Sequence, residues 1–194
     1  MIARNFFETD ANILYPRVDM AGTHTGIVGS EFPLYNYSIY TVSLLFGYNH
    51  WYGRIINLIL TSVGTFFFFA LIRDYFNERV AFAATILFLV SQGFALSRTT
   101  LPDPFALSFC FFSLYYGLKY LREGDYLPLL LFLIFGAIGC LSKISAATLL
   151  TVLAVPIVDK SILIKRKLML TAAGSLVLTM VVVWYFYWVP HLNT

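Results

Sequence analysis

The sequence predicts an all-α fold: a polytopic transmembrane helix bundle with an extracytoplasmic first loop that carries a short interfacial helix. Three observations predict it. Of the 194 residues 59% are hydrophobic and 12% charged, against roughly 25% charged in an ordinary globular chain. Mean hydropathy is +0.77. Uncharged stretches of about 15 to 22 residues succeed one another, close to the length a helix needs to cross the hydrocarbon of a bilayer. The net charge of +3 comes from basic residues scattered between the apolar stretches. No basic stripe tracks a phosphate backbone, which excludes nucleic acid as a partner.

Two regions follow. Residues 1–54 form a polar leader, within which 32–46 is short, rich in tyrosine and reads as an interfacial helix. Residues 55–194 hold a bundle of about six spans, at 55–72, 80–97, 104–118, 126–141, 144–158 and 168–189. Trp51, Tyr52, Tyr120, Tyr126, Trp184 and Trp188 stand near the ends of these runs, where amphipathic rings sit at headgroup level. Cys110 and Cys140 both lie inside apolar runs and read as core cysteines. The Phe66 to Phe69 tetrad reads as lipid-facing or packing bulk. Gly136, Gly139 and Cys140 form a small-residue patch that lets helices approach closely.

Arg73, Arg79, Lys119, Arg122, Lys160, Lys165, Arg166 and Lys167 fall on one face of the alternating loops. By the positive-inside rule that face is cytoplasmic. The leader, the 98–103 loop and Lys143 then face the extracytoplasmic side of an integral, multi-pass membrane protein, in the plasma membrane if the source is bacterial. A polar leader placed outside needs something to carry it across, and residues 1–10 lack the apolar core of a signal peptide. The expectation is a further transmembrane helix ahead of Met1.

Ionisable groups at span ends that face a cavity are costly unless paired or used. Glu31 precedes Phe32 and Pro33 at the start of the interfacial helix. It reads either as compensation of the helix dipole or as a carboxylate lining an extracytoplasmic cavity. Asp103 with Pro104 reads either as an N-cap with proline at N1 or as a second cavity carboxylate, since both acids open helices on the same face. Arg98 and Lys143, cations on that face, either snorkel to the interface or meet an anionic headgroup or pyrophosphate. Asp19 pairs with Arg17 or faces water. His24 stands alone, without a second ligand at metal spacing. Asn36, Tyr37 and Ser38 match a glycosylation pattern close to the membrane. No Walker A, GxGxxG, HExxH or GxSxG pattern occurs, so no cofactor and no metal are expected.

The succession IARNFFETDANILYPRVD, GSEFPLYNYSIY, LFGYNHWYGRIINLI, SRTTLPDPFALSF and LSKISA resembles membrane glycosyltransferases of the C-type superfamily. Within it, the likeness is to dolichyl-phosphate-mannose-protein mannosyltransferases and bacterial lipid-A aminoarabinose transferases. The resemblance runs along nearly the whole chain, which would form about the first third of such an enzyme. It implies transfer of a sugar from a polyprenyl-phosphate donor to a lipid, glycan or protein acceptor in an extracytoplasmic cavity, without a metal in many members. A single displacement would invert C1. The resemblance also implies a principal catalytic aspartate just ahead of Ile2, where the matching pattern is cut; Asp10 and Asp19 do not fall on its position. Glu31 matches the family's glutamate before the first-loop helix, Asp103 the aspartate of its second outer loop, and Lys143 the lysine facing the donor phosphate, with Arg98 a further candidate for that phosphate. The competing class is a non-enzymatic membrane protein, a transporter fragment or a bundle that anchors partners. Against it, no acid sits mid-span, where compact transporters place their working charges.

Overall fold

In the computed structural model residues 2–19, 25–154 and 158–194 are described. The helices begin and end where local chemistry dictates. Short α1 (Ile2–Glu8) is followed by the leader loop and by α2 (Leu34–Phe46). Next come α3 (Tyr52–Tyr75) and α4 (Glu78–Leu89), the latter capped by Asn77, whose Oδ1 accepts the Val80 N–H at 3.0 Å. A short turn, α5 (Gln92–Ala95), runs on as 3₁₀ helix through Leu96–Arg98. Pro102 opens α6 (Pro102–Glu123), and Gly124, at φ +86°, closes it by donating its N–H to the Tyr120 carbonyl. After α7 (Tyr126–Ser142), a 3₁₀ stretch (Ile144–Leu153) leads towards α8 (Ile164–Val183). A π-helical turn (Trp184–Trp188) and α9 (Val189–Leu192) end the chain.

Helix α6 is the axis of the bundle, buried along most of its length. Its neighbours reach it through small residues. Gly139 of α7 lies against Ala106 and Cys110, Gly136 against Ser113, and Gly64 of α3 against Ser108. Such contacts bring helix backbones close where lipid offers no hydrophobic drive for association. The small-residue patch on α7 therefore packs as its composition suggests. Cys110 and Cys140 are both buried and unbridged within this seam. Toward the other end, Leu114, Leu118, Leu121, Phe132 and Leu170 close a second core. The phenylalanine tetrad divides by helical phase: Phe66 faces outward, Phe67 packs on Phe112 and Tyr115, and Phe68 on Phe88 and Phe111.

The outward faces of α3, α4, α7 and α8 carry Leu58, Ile59, Phe82, Leu87, Leu130, Leu178 and many other exposed apolar side chains. In water so much contiguous apolar surface is untenable; in lipid it is solvated. Among the described residues two helices qualify as spans by length and apolarity, Tyr52–Tyr75 and Ile164–Leu192, or three if the bent pair Glu78–Leu89 with Gln92–Arg98 is one broken span. This differs from the six continuous spans of the sequence reading, for physical reasons. The 80–97 run breaks by 56° where Ser91 turns its hydroxyl to the Phe94 N–H. At 17 residues, α7 reaches about 25 Å, short of the roughly 30 Å hydrocarbon core. The 144–158 run is 3₁₀ from Ile144 to Leu153, and the hydroxyls of Thr148 and Thr151 donate to carbonyls three residues back. Residues 155–157 lie outside the described part.

A side chain at Gly139 would place its Cβ 2.8 Å from Cys110 Sγ and 3.0 Å from the Ala106 carbonyl oxygen, whereas one at Gly174 meets nothing nearer than 3.9 Å. Gly139→Ala is expected to destabilise the bundle by roughly 1–3 kcal/mol. Gly174→Ala, in an open helical position, is expected to be neutral or to stabilise by about 0.4–1 kcal/mol. Thermal unfolding of the two variants in detergent, monitored by circular dichroism, checks the contrast.

Candidate active site at one end of the bundle

Antiparallel packing of α6 and α7 sets the first residues of one beside the last of the other. Asp103 stands in the first turn of α6 and Lys143 directly follows α7. Glu31 comes from the leader, just ahead of α2. Lys143 Nζ donates to Glu31 Oε1 at 2.9 Å and lies 3.7 Å from Asp103 Oδ1. The structure thus brings together the two carboxylates and one of the two cations singled out from the sequence. With Glu31 and Asp103 engaged, the ammonium keeps a third N–H for a further acceptor.

Glu31 is held by backbone contacts on both sides. The Trp184 indole N–H donates to the Ser30 carbonyl at 2.9 Å, and the Phe32 N–H donates to the Leu141 carbonyl at 3.1 Å. Phe32 packs edge-on against Trp184, with ring centroids 4.5 Å apart. One residue earlier, Asn193 clamps Gly29 with both halves of its amide, accepting its N–H at 2.8 Å and donating to its carbonyl at 3.0 Å. Trp188 donates to the Leu14 carbonyl. The leader is therefore latched to the π-helical turn and the end of α9, beyond α8, and the aromatic residues read as interface anchors also serve as latches. The outer part of the leader is braced on α1, where Asn5 donates to Asp19 and to the Arg17 carbonyl and Arg4 pairs with Asp19 at 3.1 Å.

Asp103 is positioned from α3. Asn57, wholly buried, donates through its amide to the Thr99 and Leu101 carbonyls at 2.9 and 2.8 Å and lies 3.3 Å from the Tyr35 hydroxyl. It ties the strap that leads into α6 and the helix that follows Glu31 to one point. The sequence analysis did not single out Asn57. Its signal was a lone carboxamide inside an apolar run, where an unpaired polar group is costly.

Other sequence expectations are corrected. Asp103 is not an N-cap: α6 begins one residue earlier at Pro102 with Leu101 at the cap position, so the carboxylate acts on the helix dipole from within the first turn. Proline at 104 is still tolerated, because the first N–H groups of a helix have no partner within it. Asp19 pairs with Arg4 rather than Arg17, which lies 3.7 Å from Asp10. Arg98 is exposed at the end of the 3₁₀ turn and, among the described residues, makes no ion pair with the Glu31–Lys143–Asp103 cluster. His24 lies outside the described residues.

Burial of the Glu31 carboxyl by itself raises its pKa. The hydrogen bond and charge of Lys143, with help from backbone and Ser30 donors, outweigh burial and hold it below its ordinary 4.5. The Lys143 ammonium is held above its ordinary 10.5 chiefly by the hydrogen bond to Glu31, against its own desolvation, with Asp103 adding to the pull. A lowered acid and a raised base stabilise the fold fully between about 4.5 and 10.5, and the contribution is lost as pH falls through the Glu31 value or rises through the Lys143 value. Both side chains are about a third exposed, so the pair is worth about 0.2–1 kcal/mol. In Lys143→Met, burial is left unopposed by a cation. Glu31 should then titrate higher than in the wild type, so acidification through that value should cost this variant less stability than it costs the wild type. Unfolding midpoints measured across the acidic range check the smaller loss.

Comparison with known proteins places this geometry in a family. The model of the family described as dolichyl-phosphate-mannose-protein mannosyltransferase matches residues 30–185, from the residue before Glu31 to the π-helical turn that latches it. No curated protein and no solved structure matches the chain. The match covers most of the chain and contains Glu31, Asp103 and Lys143. This membrane protein belongs to the dolichyl-phosphate-mannose-protein mannosyltransferase family.

Proposed function

We propose that the chain contributes to a membrane glycosyltransferase that moves a sugar from a polyprenyl-phosphate donor to a lipid, glycan or protein acceptor, with inversion, at the extracytoplasmic face of a multi-pass bundle. The observation that carries this reading is the placement of Lys143 between Glu31 and Asp103 at the end of the bundle where α2 and α6 begin. A single displacement at the anomeric carbon needs a group that accepts the acceptor's proton and a cation that stabilises the departing phosphate. Glu31 and Asp103 supply ionised carboxylates that accept hydrogen bonds from hydroxyls and support the proton transfer. Lys143 offers its third N–H to a phosphate oxygen, and Arg98 is a second cation on the same loop system as Asp103. The Lys143 ammonium cancels one of the two carboxylate charges, so an anionic donor is drawn to the cation that stands between them.

The sidedness rests on the distribution of basic residues. At the opposite end of the bundle Arg122 pairs with Asp74 at 3.0 Å, and Arg166 donates to carbonyls at the end of α6. Arg73, Lys119 and Lys165 belong to this end as well, the basic signature of a cytoplasmic face. We place residues 1–54 as the extracytoplasmic loop region and 55–194 as the bundle.

Two experiments test the reading. With the glycosyltransferase to which the chain contributes purified in lipid and a polyprenyl-phosphate sugar as donor, loss of a carboxylate that supports proton transfer in Glu31→Gln or Asp103→Asn is expected to lower kcat by about 10²- to 10⁴-fold. Lys143→Met is expected to raise the donor KM as well; unchanged rates in all three variants contradict the assignment. For sidedness, both native cysteines are buried, so a membrane-impermeant maleimide reports on introduced thiols alone. In intact cells it should label Thr9→Cys and spare Asp125→Cys and Ser161→Cys; the inverse pattern contradicts the orientation.

A further inference from the structure

A second cavity opens at the same end of the bundle, and none of Glu31, Asp103 or Lys143 lines it. It encloses about 320 Å³ between α1, α2, the turn after α2, the start of α3 and the strap before α6. Its polar walls come from Tyr35, Asn36, Asn49, His50, Arg54 and Thr100. Among the described residues the side chains of Asn36, Asn49, Arg54 and Thr100 make no hydrogen bond or ion pair, and His50 meets only the Tyr48 hydroxyl at 3.4 Å. Tyr35 is 2% exposed; its hydroxyl accepts from Asn57, and its own proton has no acceptor among the described residues. Asn49, His50, Arg54 and Thr100 are solvent-exposed, so their donors can exchange water for an acceptor-rich ligand.

Charge narrows the ligand further. No carboxylate lines the cavity, whereas Arg54 does, so neither a metal cation nor an ammonium group is served there. Arg54 also stands in the first turn of α3, a helix of 24 residues with no side-chain cap and no acidic residue in that turn. The N-terminus of a long helix carries a partial positive charge and unpaired N–H groups, so an arginine there is repelled unless an anion joins it. Gly53 lets neighbours close tightly on this helix end: a Cβ there would lie 2.5 Å from the Tyr35 hydroxyl and 3.2 Å from the Thr100 methyl. Guanidinium, carboxamides, hydroxyls and a helix end converge from separate elements, a donor set that matches the several oxygens of a phosphoryl group.

We propose that this cavity binds a phosphate group through Arg54, Asn36, Asn49, Thr100 and the Tyr35 hydroxyl. The site stands independently of the roles given to Glu31, Asp103 and Lys143. Its mouth lies beside Trp51 and Tyr52, aromatic residues of the kind that mark the headgroup level. The phosphate is therefore borne either by a lipid or by a soluble molecule.

Chemical protection tests it. Phenylglyoxal modifies free guanidinium groups, and its rate at Arg54 can be followed by peptide mass spectrometry on the full chain in a phosphate-free non-ionic detergent. Inorganic phosphate, farnesyl phosphate and farnesol are added separately. At a ligand concentration ten times the dissociation constant, mass action predicts about a tenfold slower modification of Arg54, with Arg79 in the first turn of α4 unaffected as control. Slowing by both phosphates assigns the site to free phosphate, and slowing by farnesyl phosphate alone assigns it to a lipid-borne one. Slowing by neither phosphate, or equally by farnesol, overturns the proposal. Asn49→Ala removes one wall donor while keeping the backbone carbonyl that accepts the Tyr52 N–H; it should raise the half-protection concentration about tenfold. An unchanged value in that variant overturns the proposal as well.

Discussion

The close approach of α6 to α7 is the constraint on which the candidate site depends. Gly139 against Ala106 and Cys110, and Gly136 against Ser113, let the two backbones come together with little between them. Because the helices run antiparallel, that contact fixes the end of α7 beside the start of α6, and the Lys143–Asp103 distance follows from it. In lipid no general hydrophobic force holds such a pair, so close van der Waals contact and a few buried polar links carry the task. The Ser113 hydroxyl, which donates to the Phe132 carbonyl at 2.9 Å across the same interface, is one of those links.

Around this axis two polar ties collect the remaining parts. Asn57 holds the strap before α6 and touches Tyr35 on α2, so α3 sets the position of both carboxylate-bearing segments. Trp184 and Asn193 hold Ser30 and Gly29, so the π-helical turn and α9 that follow α8 set where the leader delivers Glu31. Each tie satisfies main-chain groups that would otherwise be left bare near the apolar phase, where an unpaired backbone group costs several kcal/mol in free energy. Site geometry and membrane compatibility therefore have the same physical origin. Arginines at the two ends of the bundle then differ in kind. The one at Arg122 and Arg166 is spent on Asp74 and on helix-end carbonyls, whereas Arg54 faces a cavity with its charge unspent.

Much of this was legible in the sequence. Long uncharged runs broken by basic loops dictate helices in lipid, and Glu31, Asp103 and Lys143 stand out because ionisable groups beside such runs need a partner. Their mutual pairing was not legible, since spacing says which acids open helices but not that one lysine, 112 residues from Glu31, will stand between them. Asn57 was missed because its partners lie 42 and 44 residues away. The latch of Asn193 to Gly29 spans 164 residues. The bend at Ser91 and the start of α6 at Pro102 rather than Pro104 turn on a single hydroxyl and on a choice between two nearby prolines, differences smaller than hydropathy can register. Arg98, plausible from its place in the chain, stays outside the cluster because the 3₁₀ turn that carries it ends with its side chain exposed.

The central claim is that the end of the bundle holding Glu31, Lys143 and Asp103 receives the sugar of a polyprenyl-phosphate donor. Photolabelling with such a donor, carrying its reactive group on the sugar and mapped by mass spectrometry, tests it most directly. The account predicts adducts within residues 30–33, 101–104 and 142–145, suppressed by excess unlabelled donor. Adducts confined to the outward faces of α3, α4 and α8, or insensitive to competing donor, would contradict it.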